Sequence, residues 1–130
     1  MKKHIVFVVL IAVVLCAGFG AYVCLKNPIM VRRFSLEEYE SELIQFASDR
    51  ELSKIESAED AAKTAEELWT EIYGETKAQE QKPYRVSYDK QAGAWLVEGR
   101  FPLWRLGQKG GTAYLLITDE GDVLAVWHTK

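Results

Sequence analysis

Apolar residues follow three patterns along this chain, and each marks a different kind of element. From Ile5 to Leu25 the 21-residue run IVFVVLIAVVLCAGFGAYVCL carries no charge. As a helix it would rise about 31 Å, enough to cross a hydrocarbon core. Beyond Asn27 and Pro28 the apolar positions recur at spacings of three and four. Leu36, Tyr39, Leu43 and Phe46 predict one helix, with Ser35 as N-cap and Glu37, Glu38 and Glu42 on its outer side. Ala58, Ala61, Ala62, Ala65, Leu68, Trp69 and Ile72 predict a second. Ser57 and Asp60 resemble a capping box at its start, and Gly74 stops it in a left-handed C′ conformation.

After the polar stretch Glu75 to Lys82, the period changes to two. Tyr84, Val86 and Tyr88 alternate with Arg85, Ser87 and Asp89; beyond a turn at Lys90 to Gly93, Trp95, Val97 and Phe101 alternate with Leu96, Glu98 and Arg100. A four-residue loop sets Tyr88 opposite Trp95 and Arg85 opposite Glu98, a register supported by aromatic and opposite-charge pairs. A second hairpin runs from Thr112 to Thr118 and from Val123 to Thr129, closed by Asp119 to Asp122. The whole predicts an α+β protein: an N-terminal membrane helix, then two helices packed on a curved four-stranded antiparallel sheet. The second hairpin is apolar on both faces, with Leu115, Ile117, Leu124 and Val126 on one and Tyr114, Leu116, Ala125 and Trp127 on the other. Two helices on a single side would leave the other face uncovered, as a pocket lining, a partner surface or a homodimer contact.

These patterns divide the chain into an anchor or signal segment at 1–26, a juxtamembrane stretch with the first helix at 27–56, and a main α+β domain at 57–130. The apolar run extends past the h-region of a cleaved signal before Lys26 ends it, which favours an anchor. A single-pass protein of the bacterial inner membrane is expected, its domain on the periplasmic or extracytoplasmic side. Both cysteines, Cys16 and Cys24, fall inside the apolar run, so cysteine usage is silent on compartment. From residue 31 onward, 13 basic residues stand against 19 acidic ones, a formal charge of −6. Such a balance argues against nucleic acid as partner and suits a basic protein surface, although solubility alone would explain it equally well.

Little in the sequence suggests catalysis. The domain lacks cysteine and has one histidine, His128, so neither a metal-ligand cluster nor an identifiable triad can be assembled, and no cofactor is expected. Gly107 to Gly111 lacks the spacing of a phosphate loop. His128 reads as a structural residue at the sheet edge, Trp69 and Trp95 as core, and Glu98 as the cross-strand partner of Arg85. Trp104 differs, because it lies in the irregular stretch Pro102 to Lys109, where no period calls for burial. Trp and Arg dominate interface hot spots, so Trp104, Arg105 and Leu106, with Tyr114 and Trp127 of the uncovered face, are the candidate partner-binding residues. The alternative for Trp104, a side chain folded back to cap the core, stands on equal terms.

Several short runs together resemble a known family. Ala58 to Ala62 with Trp69, Ile72 to Glu75, Lys82 to Tyr84, Trp95 to Gly99, Gly110 to Tyr114, Asp119 to Gly121 and His128 to Lys130 are similar, in order and spacing, to bacterial immunity proteins with a nuclear-transport-factor-like (cystatin-like) fold. The resemblance covers Ser57 to Lys130. It implies a protein that binds and neutralises a cognate toxin of a polymorphic toxin system, encoded by a neighbouring gene, with no catalysis of its own. The membrane segment and the Trp104 loop depart from the family pattern. Two other classes compete: a scaffold subunit of a cell-envelope assembly, and a small-molecule-binding or enzymatic conical-pocket domain.

Overall fold

The computed structural model describes residues 29–100 and 111–130. The apolar run 5–25 lies outside them. Among the described residues no helix is long and apolar enough to cross a membrane.

Among the described residues the architecture is α+β, built on one sheet of five strands rather than the four expected. In spatial and chain order these are β1 (Val31–Arg33), β2 (Arg85–Asp89), β3 (Ala94–Glu98), β4 (Ala113–Thr118) and β5 (Val123–His128). Strands β2 to β5 form an antiparallel meander, and β1 joins its edge parallel to β2, Val31 opposite Val86. The register of β2 on β3 is the one anticipated: Tyr88 faces Trp95, and Arg85 faces Glu98. Asp119 locks the two hairpin tips together. Its carboxylate accepts from the Tyr88 hydroxyl at 2.8 Å and from Trp95 Nε1 at 2.9 Å, while its amide donates to Gly93 O.

The longest helix among the described residues, α2 (Ala58–Tyr73), begins as its sequence dictates. The Ser57 side chain accepts from the Asp60 amide at 3.2 Å, and Asp60 in turn accepts from the Glu56 amide at 3.1 Å. Alanines at 58, 61 and 65 bring the helix close to the sheet, where Leu68 and Trp69 pack with Val86, Val97, Leu115 and Ile117. Gly74 ends the helix at φ 94°, ψ 155°. This is not the left-handed helical conformation expected but a region that essentially only glycine occupies. The chain then enters a further short helix, α3 (Glu75–Glu80), where the sequence predicted none. Its composition, ETKAQE, shows no apolar stripe, and only Ala78 is buried.

The first helix is interrupted: a single 3-10 turn at Leu36–Tyr39 leads into α1 (Glu40–Gln45). It does not share a face with α2. Its apolar stripe, with Phe34 before it and Phe46 after it, lies on the opposite face of the sheet, over Leu96, Leu116, Ala125 and Trp127. The sheet therefore has a helical cover on both sides, and the expectation of two helices on one face is corrected. The stripe could be read from sequence, but which face it covers depends on how β1 and its connection route the chain. A bulge in β5 also redistributes side chains. Leu116 faces Ala125 but Ile117 faces Val123, so Leu124 is the extra residue. Val123 consequently packs on the α2 side and Leu124 on the α1 side, the reverse of what strict alternation would give for Leu124.

Residues 46–52 continue along the outer edge of β5. Backbone bonds join Val126 to Phe46, Ser48 to Leu124, Val123 to Arg50 and Leu52 to Gly121, so this edge is closed to further pairing. Gly121 permits the approach, because a Cβ there would overlap the Leu52 carbonyl. The stretch 29–56 is thus part of the folded body.

Candidate protein-binding surface

On the α1 side the sheet carries a run of stacked rings. Tyr114 of β4 lies parallel to Trp127 of β5, with centroids 4.9 Å apart, and Phe46 stacks on Trp127 at 5.8 Å. Tyr39 leans over the same indole at 6.2 Å and meets Phe34 edge-on at 5.9 Å. Cross-strand neighbours place Tyr114 and Trp127 opposite each other, and the α1 stripe supplies the rest. Trp127 is only 7% exposed. It therefore does not lie on an uncovered sheet face, as the sequence suggested, but under a roof of Tyr39 and Phe46. Tyr114 is half-buried at the margin of this cluster. Burial first, and then the charge of Glu98, holds the Tyr39 and Tyr114 phenols above their ordinary range.

Two of the five sequence-predicted residues are thus brought into contact with each other. The other three, Trp104, Arg105 and Leu106, lie outside the described residues. Where their loop leaves and rejoins the fold is well defined. Gly99 donates to Ala113 O at 2.8 Å, and Arg100 donates to the Gln81 carbonyl at 2.7 Å. The Gln81 side chain completes the junction, donating from Nε2 to Gly111 O and accepting at Oε1 from the Ala113 amide, each at 3.0 Å. At 8% exposure this amide is almost fully enclosed. Gly99 gives it room, since a Cβ there would collide with the Gln81 side chain. The loop is therefore rooted one residue from Tyr114. A polar residue just beyond a polar helix gave no sequence signal for this role.

Acidic side chains line two grooves on the exterior. A groove of about 510 Å³ runs between the 3-10 turn, α1 and the β2–β3 turn, with Glu37, Glu40 and Asp89 around an apolar floor of Leu36 and Leu43. Asp89 is held below the usual carboxylate range by the amides of Leu36, Ala92 and Gln91, the first at 2.8 Å. A second groove, of about 480 Å³, sets Glu51, Glu67 and Glu71 over Leu52 and Leu68. Neither groove was evident in the sequence, because each joins residues far apart along the chain. Ile44, on the exposed side of α1, is 77% exposed.

His128 stands elsewhere, 5.3 Å from the Tyr73 ring. Burial, and then the nearby Lys77 charge, lowers its pKa below the ordinary value, while a backbone bond to Gly111 acts the other way. Among the described residues no three His, Cys, Asp or Glu side chains are grouped to hold a metal ion.

The family model described as NTF2 fold immunity protein matches residues 60–130, more than half of the chain, and the chain belongs to that family. The match runs from the first turn of α2 through β5 and leaves β1 and the α1 roof outside it. Neither a curated protein nor a solved structure matches the chain significantly.

Proposed function

We propose that this member of the NTF2-fold immunity family binds and neutralises a cognate toxin protein, is tethered to the bacterial inner membrane by residues 5–25, and catalyses no reaction. Family membership over residues 60–130 is the observation that carries it. The acidic exterior supports a toxin with a basic contact surface, because complementary potentials speed encounter and suppress wrong partners. The contact surface is the Trp104, Arg105 and Leu106 loop together with Tyr114 beside its root. Trp127 acts there as the platform on which Tyr114 stacks, and not as a contact residue.

The length and apolarity of Ile5 to Leu25 support the tether, and the habit of short N-terminal segments of entering the export path as signal anchors supports an extracytoplasmic domain. Co-expression with the protein encoded beside it tests the function. Growth should be restored by the full chain, and the two proteins should co-purify from the membrane fraction. A neighbouring product that is neither toxic nor bound would remove the proposal, whereas rescue by a chain found only in the soluble fraction would remove the tether alone.

A further inference from the structure

We infer that the β1 edge of the sheet is a contact surface for anionic phospholipid headgroups, an inference that rests on the proposed membrane tether. The two edges of the sheet differ in kind. The β5 edge is covered by residues 46–52, whereas β1 ends the sheet on the other side, and all three of its residues are exposed. Just before and within it stand two bare apolar side chains, Met30 at 80% and Val31 at 46% exposure. Arg32 and Arg33, as successive strand residues, project to opposite sides of the sheet and so straddle this edge.

Beside β1 runs a groove of about 590 Å³ whose lining includes Val31, Arg32, Arg33, Lys90 and Gln91. Its single carboxylate, Asp89, is engaged by the amides of Leu36, Gln91 and Ala92. Three cations therefore gather at one edge of a domain whose formal charge is otherwise strongly negative. Cations flanking exposed apolar side chains suit the interface of an anionic bilayer, where ammonium and guanidinium groups meet phosphates and the apolar groups enter the headgroup layer. Chain length puts this edge at the membrane. Five residues lie between Leu25, the end of the apolar run, and Val31, and even fully extended these six steps along the chain reach only about 20 Å.

Charges on a short edge strand also protect a sheet against pairing with another chain, which would account for Arg32 and Arg33 without lipid. The sign of the charge separates the two roles, since glutamate guards an edge as well as arginine but repels phosphate. The test uses the full chain with Met30→Cys in a Cys16→Ser, Cys24→Ser background, reconstituted into vesicles of phosphatidylcholine alone or with phosphatidylglycerol. A water-soluble maleimide reports exposure at position 30, and a cysteine replacing the exposed Lys63 of α2 reports general effects of the vesicle. Labelling at position 30 should slow at least fivefold when phosphatidylglycerol is present, while position 63 is unchanged. Arg32→Glu, Arg33→Glu and Lys90→Glu together should restore the faster rate. Equal rates at position 30 in both vesicles, or slowing that survives charge reversal, would overturn the inference. Flotation of the vesicles distinguishes failure of the premise: a chain left behind by both kinds has no tether, and the inference falls with it.

Discussion

Replacing Gln81 by Leu keeps most of the side-chain volume and removes both side-chain hydrogen bonds, so it isolates the polar role of this residue. Of the two groups left behind, both on buried residues, the Ala113 amide has no solvent to take the place of the lost partner, whereas the Gly111 carbonyl keeps its bond from the His128 ring. An unsatisfied buried donor costs about 1–3 kcal/mol and the lost second bond to the Gly111 carbonyl about 1 kcal/mol more, so the substitution should cost about 2–4 kcal/mol. In a domain of this size that lowers the melting temperature by roughly 10 °C or more. Gln81→Glu refines the test. Its carboxylate still accepts from Ala113 but faces the Gly111 carbonyl without a proton, which favours the protonated acid in the folded state. A carboxyl group whose folded pKa is raised contributes stability that is present at low pH and is lost as pH rises through the folded value. The Glu variant should therefore approach the wild type below about pH 4 and fall away toward neutrality. Thermal unfolding followed by circular dichroism, at several pH values, reads both effects. A Leu variant within about 0.5 kcal/mol of the wild type, or a Glu variant with no added pH dependence, would refute the clamp.

Gly74→Val should destabilise the fold by about 1–3 kcal/mol, and Gly74→Ala by nearly as much, because a Cβ meets nothing within 4 Å and the cost is entirely in the backbone; unchanged melting temperatures would contradict this. Trp127→Ala should cost about 3–5 kcal/mol of folding stability in chemical denaturation, as removal of a buried ring does, and a variant as stable as the wild type would mean that the roof does not close over it. His128 has a lowered folded pKa, so its contribution to stability is present above the ordinary 6.5 and is lost as pH falls from there toward the folded value. His128→Gln should flatten the stability profile in that window, and a profile unaltered by the substitution would assign the pH dependence elsewhere. Trp104→Ala should weaken toxin binding by about 2 kcal/mol, roughly thirtyfold, with little change in melting temperature; a destabilised variant whose folded fraction binds normally would make Trp104 a core residue.

What the sequence disclosed and what it concealed follow from the range of each interaction. Alternation in 84–101 and 112–129 is a local signal, and the register of Tyr88 on Trp95 followed from loop length and pair chemistry. Strand β1 has no such signal, being three exposed residues of which two are arginines, and it forms only because β2 offers an edge. The α1 stripe was legible, but its placement on the far side of the sheet was not, because both faces of the β4–β5 hairpin are apolar and either would accept it. That ambiguity made Trp127 look exposed. For the candidate surface, the sequence singled out large side chains and passed over Gln81, whose importance comes from partners 30 and 32 residues away.

The central claim is neutralisation by stoichiometric binding, and titration of the purified full chain into the protein encoded by the adjacent gene, with toxin activity and complex formation followed together, tests it most directly. Activity should fall in proportion to the complex and vanish at a fixed molar ratio. Suppression at ratios far below stoichiometry, or with no complex formed, would contradict the account and point to a chain that acts by turnover.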